Sequence, residues 1–224
     1  MNNDTSGNTK LTLIDDYIQA LFPPDEALLH TLQESQRNDL PAISVSPNEG
    51  RLLYMLAKMS GARKILELGT LGGFSTINLA RALPSGGKLI SLEYSDKHAK
   101  VARANIDNAG LTSRVEVRVG AALDSLAQLL ENKEGPFDLF FIDADKGNYP
   151  AYLDLCIQLA RPGSIILSDN LIRDGLVLDP PADNEAAVAI AQFNKKLATN
   201  PRLESVILPI VRESVDGLGI SIVL

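Results

Sequence analysis

Five short apolar runs alternate with longer amphipathic stretches, and this alternation restricts the fold of the 224-residue chain more than any single motif does. The runs are "KILEL" from Lys64, "KLISLEY" from Lys88, "VEVRV" from Val115, "FDLFFID" from Phe137 and "SIILSD" from Ser164. Their length and their β-branched and aromatic content predict strands. Between them, residues 76–83, 96–109, 122–131 and 149–160 carry a helical period. Strand, helix, strand in repetition requires right-handed crossovers, hence an α/β fold with a mostly parallel sheet and helices on both faces.

Beyond Asn170 the pattern changes. A polar, proline-containing loop leads to a helix over residues 185–199, and then to two last runs, "LESVILPIV" and "GLGISIVL". Their closeness predicts a hairpin, which sets the last strand antiparallel to the others. One helix start is fully written out: in "SPNE", Ser46 is the N-cap, Pro47 the first helical residue and Glu49 the capping-box partner, with Gly61 closing the helix. No repeat or linker interrupts residues 1–224, so one domain is expected, its first nine residues a polar, disordered tail.

Charge and cysteine content narrow the function classes. Lys and Arg number 21 against 28 Asp and Glu, a net charge of −7, which provides no basic surface for nucleic acid or anionic lipid. Cys156 is the only cysteine, so no intrachain disulfide forms and a reducing, cytoplasmic setting is expected. It sits in the apolar helical run "YLDLCIQLA", the place of a small buried hydrophobe. Neither a membrane-length apolar run nor a signal-peptide pattern is seen.

Chemistry is expected where parallel strands end, because ligands of open α/β sheets bind beyond the carboxyl edge. The first edge reads "ELGTLGGFST", with Gly69, Gly72 and Gly73 in a tight turn and Ser75 and Thr76 opening a helix. Glu93 follows Gly69 by 24 positions, the place of an acid that holds ribose hydroxyls, which points to an adenosine-containing cofactor. The glycines read G-x-x-G-G and not G-x-G-x-x-G. Glu67, two residues upstream, would repel a pyrophosphate and suits a sulfonium or ammonium group. An NAD(P)-dependent oxidoreductase is thus the second choice, and a non-catalytic nucleotide-binding module the third.

Two further edges end in oxygen: Asp143 after "FFI", and Asp169-Asn170 after "IILS". Alone, Asp143 with Asp145 reads as capping the helix that starts near Tyr149, and Asp169-Asn170 as a turn. As ends of neighbouring strands they converge, and an all-oxygen set selects Mg²⁺, Mn²⁺ or Ca²⁺ over zinc. Lys146, three residues past Asp143, becomes a candidate base for a substrate hydroxyl. His30 and His98 lie away from the strand edges and read as surface or helix-packing residues.

In "ILELGTLGGFST", "FDLFFIDADKGNY", "LSDN" and "DGLGISIVL", spread over roughly residues 40–224, the chain resembles the cation-dependent class I S-adenosylmethionine O-methyltransferases of the caffeoyl-CoA and catechol group. The resemblance implies a Rossmann-like, seven-stranded sheet with a reversed last strand, a homodimer, and an aromatic vicinal-diol substrate. It assigns Glu67, Gly69, Thr70 and Ser75 to the methionine end of the donor, Glu93 to the ribose and Ala121 to the adenine, with Val45 and Asp145 as further contacts. It makes Asp143, Asp169 and Asn170 the metal ligands, Lys146 the general base beside Asp143, and residues 10–46 a helical cover over the acceptor. Plant members carry Trp and Asn at the places of Arg173 and Asp174, which argues against a coenzyme A thioester preference here.

Overall fold

In the computed structural model, which describes residues 5–211 and 214–224, the apolar runs form a single seven-stranded sheet. The strands are β1 (Lys64–Leu68), β2 (Lys88–Glu93), β3 (Val115–Val119), β4 (Phe137–Ile142), β5 (Ala160–Ser168), β6 (Leu203–Val211) and β7 (Val215–Val223). Their order is β3-β2-β1-β4-β5-β7-β6. β7 runs antiparallel to both β5 and β6, so the closing hairpin reverses the last strand as expected.

Among the described residues eight α-helices accompany the sheet: α1 (Thr5–Leu21), α2 (Glu26–Arg37), α3 (Pro47–Ser60), α4 (Phe74–Ala82), α5 (Asp96–Asn108), α6 (Ala122–Glu131), α7 (Tyr149–Leu159) and α8 (Glu185–Thr199). Alternation along the strands sends Ile65 into a core with Leu53 of α3, Ile77 of α4 and Ala102 of α5. Leu66 faces the other way, into a core with Leu126 of α6, Leu153 of α7 and Phe193 of α8. With both faces covered, the central strands must be apolar throughout, which is why they appear in sequence as unbroken runs.

The capping box holds as read: Ser46 N donates to Glu49 Oε2 at 2.8 Å, Glu49 N to Ser46 Oγ at 3.3 Å, and Gly61 closes α3 in the left-handed conformation. Three boundaries move. α1 begins at Thr5, inside the stretch expected as a tail, while residues 1–4 lie outside the described residues. α4 starts at Phe74, earlier than the expected residue 76, because Gly73 at φ 88° serves as its N-cap without a side-chain signal. β5 starts at Ala160 and not at Ser164, since Ala160 pairs with Phe137 across a register shift. Cys156 is fully buried, and burial pushes its thiol pKa up. Among the described residues no helix is long and apolar enough to cross a membrane.

Candidate active site

The chain leaves β1 towards β2 and β3 on one side and later returns through β4 and β5 on the other, so the direction of winding reverses between β1 and β4. Above this point lies a cavity of about 1660 Å³. Drug-sized ligands occupy roughly 300–1,000 Å³, so the space admits a nucleotide-sized molecule and a second, smaller one. Its walls carry Val45, Gly69, Thr70, Ser75, Glu93 and Ala121 on one side, and Asp143, Asp145, Lys146 and Asn170 on the other. Leu32, Ser35 and Leu40, from α2 and the loop after it, add a further wall.

The turn after β1 is packed against the end of β4. A Cβ on Gly69, where φ is 95°, would stand 2.0 Å from the carbonyl oxygen of Asp143, and one on Gly72 would stand 2.0 Å from Ser35 Oγ. At Gly69 the clash is with backbone and φ is left-handed, so glycine is required there; at Gly72 the Ser35 side chain would have to move. Glu93 then fixes the turn from β2: Oε2 accepts from Thr70 N at 3.1 Å and Leu71 N at 2.8 Å, and Oε1 accepts from Ser95 N at 2.9 Å. The second strand edge and the glycine turn are one rigid unit.

Glu67 does not reach the cavity. It is wholly buried behind the turn, where Ser75 Oγ donates to Oε1 at 2.6 Å, and Thr76 Oγ1 and Ser91 Oγ donate to Oε2 at 2.5 and 2.6 Å. Ser75 therefore connects this carboxyl to the cavity wall. Burial pushes the Glu67 pKa up to about 7, against the pull of the three hydroxyls, and the Asp143 charge adds to the rise. An acid with a raised pKa keeps a proton on folding that the unfolded chain has lost, so its contribution to stability is full at low pH and is lost as pH rises towards 7. Between pH 6 and 8 that loss is about 1 kcal/mol. Glu67→Gln should remove this slope: urea unfolding of wild type minus variant at the two pH values measures it, and an unchanged slope would refute the assignment.

The third and fourth edges meet as expected of neighbours. Ile142 pairs with Ser168, so Asp143 and Asp169 leave the sheet side by side, and Asp169 N donates to Ile142 O at 3.0 Å. Lys146 Nζ lies 2.9 Å from both Asp143 Oδ1 and Tyr149 Oη. The Tyr149 hydroxyl sits 3.1 Å from the carbonyls of Ile142 and Asp169, tying both strand ends to the lysine. Asp169 is buried to 5% exposure, and burial, then the charges of Asp143 and Glu49, push its pKa up to about 7. Among the described residues no trio of His, Cys, Asp and Glu suits a metal; the oxygen set here is two carboxylates and an amide.

Asn170 is oriented by Asp216, a residue the motif reading left unassigned. Asp216 Oδ2 accepts from Asn170 Nδ2 at 2.9 Å, and Oδ1 accepts from the backbone of Ile172, Arg173 and Gly217. Two other cavity residues also escaped the sequence. His98, expected on the surface or in packing, lines the cavity with Nδ1 3.4 Å from Glu93 Oε1. Tyr152 lines it with its hydroxyl on Asp145. The available signals were a Ser95 cap that starts α5 directly at the end of β2, and the "DG" that opens the last strand.

A Rossmann-like sheet with a reversed seventh strand, a glycine turn held by an acid from β2, and a cavity at the switch point together define the class I S-adenosylmethionine methyltransferase architecture. Residues 22–221 match the model of the O-methyltransferase family, and the chain belongs to that family. It is 49% identical over 212 residues to a catechol O-methyltransferase of Niastella koreensis, covering 94% of this chain and 96% of that one. It is 45% identical over 204 residues to a catechol O-methyltransferase of Mycobacterium tuberculosis, covering 91% of each. An O-methyltransferase from Bacillus cereus, solved in complex with SAH, superposes with a TM-score of 0.94 at 45% identity, covering 97% of this chain and 100% of that one. The chain is accordingly an S-adenosylmethionine-dependent O-methyltransferase, and neither the oxidoreductase nor the non-catalytic reading is favoured.

Proposed function

We propose that the protein methylates one hydroxyl of a catechol-like small molecule, and that it requires a divalent cation, Mg²⁺ foremost and Mn²⁺ or Ca²⁺ as alternatives. The observation that carries this reading is that Asp143 and Asp169-Asn170 leave neighbouring strands together: Asp143, Asn170 and Lys146 line the cavity, and Asp169 is buried within electrostatic reach of Asp143. The two relatives named catechol O-methyltransferase support the acceptor class.

The donor set fits a hard cation. All three side chains offer oxygen, and the charges of Asp143 and Glu49 work against ionisation of Asp169, a repulsion that a dication relieves. Asn170 is turned by its amide nitrogen towards Asp216, which frees its carbonyl oxygen for the same ion. When bound, the cation is a Lewis acid for the paired oxygens of the diol.

S-adenosylmethionine supplies an electrophilic methyl group on a cationic sulfur. Gly69, Thr70 and Ser75 line the part of the cavity assigned to its methionine end, with Glu67 behind them; Ala121, Val45 and Asp145 complete the donor half. Glu93 offers about four lone-pair sites, of which three are taken by backbone donors; the fourth, on Oε1 where His98 Nδ1 stands 3.4 Å away, is the one for a ribose hydroxyl. Lys146 Nζ takes the proton from the acceptor hydroxyl, and the wall formed by residues 32–45 keeps water from the transfer. A homodimer in the cytoplasm completes the proposal.

Chelation tests it. Protein stripped with EDTA and given S-adenosylmethionine and catechol is expected to form no methyl ether by mass spectrometry, and added Mg²⁺ or Mn²⁺ restores the product. Turnover untouched by the chelator would overturn the metal requirement.

A further inference from the structure

Arg173, three residues past Asn170, lines the same cavity as Asn170 and Lys146. Its Nε is fully buried and unpartnered. Other arginines behave differently: Arg81, Arg118 and Arg161 each hold a carboxylate within 2.9 Å. Taking a guanidinium nitrogen out of water with nothing to receive its proton is unfavourable, and such groups find partners in finished sites.

The backbone also holds this side chain in place at a cost. Arg173 and Asp174 both adopt left-handed φ values, 50° and 54°, which non-glycine residues seldom take. Asp216 enforces the bend by accepting from Ile172 N at 3.1 Å and Arg173 N at 3.0 Å with the same oxygen. That carboxylate also holds Asn170, so the loop that sets the proposed metal ligand sets the arginine too. A relaxed loop would have no reason to carry a strained arginine into a cavity.

We propose that Arg173 selects acceptors whose diol-bearing ring also carries a carboxylate, with the guanidinium pairing with that carboxylate. The inference rests on the catechol reading above and adds the second substituent. A planar guanidinium matches a carboxylate through two parallel hydrogen bonds, which a neutral ester or amide cannot reproduce. With the two hydroxyls at Asp143, Asn170 and Lys146, the ring's carboxylate is the remaining anionic group, and Arg173 is the cavity-lining cation whose Nε has no partner among the described residues.

The test compares 3,4-dihydroxybenzoate with its methyl ester in wild type, Arg173→Met and Arg173→Lys, each checked for folding by circular dichroism and thermal unfolding. Wild type should prefer the acid in kcat/KM by roughly ten- to a hundredfold, chiefly through KM. In Arg173→Met the ratio should collapse to about one, and Arg173→Lys should recover part of it. A ratio near one in wild type, or an unchanged ratio in the methionine variant, would overturn the assignment. A raised KM for S-adenosylmethionine in that variant would do the same by giving the guanidinium to the donor's carboxylate. If wild type with Mg²⁺ methylated neither compound, the catechol reading itself would fail and this inference with it.

Discussion

Asp169→Asn is expected to lower methyl transfer roughly a thousandfold while making the metal-free protein as stable as wild type or more so at pH 8. The activity loss follows from removing one of two carboxylates from the proposed cation site. Lewis-acid assistance is worth several kcal/mol, and each 1.36 kcal/mol is a factor of about ten. The stability gain has a separate origin. Burial and neighbouring charges raise the Asp169 pKa from 3.8 to about 7, so holding it ionised at pH 8 opposes folding, whereas below pH 4 the opposition vanishes. Asparagine removes the charge and retains an oxygen for the 2.8 Å bond that Asp169 now receives from Asn170 N. Thermal unfolding with and without Mg²⁺ separates the two effects. Mg²⁺ should raise the wild-type midpoint at pH 8 and leave that of the variant unmoved; a variant with wild-type turnover would remove Asp169 from the chemistry.

Lys146→Met is expected to lower kcat by about 10²–10⁴, the range of general acid–base assistance. The change keeps an apolar stem over Tyr149, above whose ring Nζ now sits at 4.8 Å, so the packing is largely preserved. It removes the partner of Asp143 Oδ1 and the donor to Tyr149 Oη. Lys146→Arg distinguishes a base from a fixed positive charge. Arginine restores charge and cannot take a proton near neutral pH, so it should stay as slow as methionine. Substantial recovery by arginine would reassign Lys146 to electrostatic support, and KM for S-adenosylmethionine should remain unchanged in both variants.

The parallel sheet was legible because strands covered on both faces must be apolar without interruption, and the reversed hairpin because its two runs are so close in sequence. The acids at the strand ends were legible for the same reason: an apolar run that stops on oxygen marks a carboxyl edge. What stayed hidden depends on distant chain segments meeting. Asp216 acts on Asn170 only because β7 lies beside β5, with Gly219 opposite Ser168. His98 turns back to Glu93 only because two residues alone, Tyr94 and Ser95, separate β2 from α5. The sequence marks Glu67 as an acid beside the glycine turn but not its enclosure: β1 is buried on both faces, and Ser75, Thr76 and Ser91 surround the carboxyl.

Diffraction from crystals grown with Mn²⁺ and S-adenosylhomocysteine, collected at a wavelength where manganese scatters anomalously, tests the proposed centre most directly. The expected map has one anomalous peak bonded to Asp143, Asp169 and Asn170, with the sulfur of the donor product nearby and Lys146 between ion and solvent. A peak elsewhere, or no peak beside a well-occupied S-adenosylhomocysteine, would contradict it.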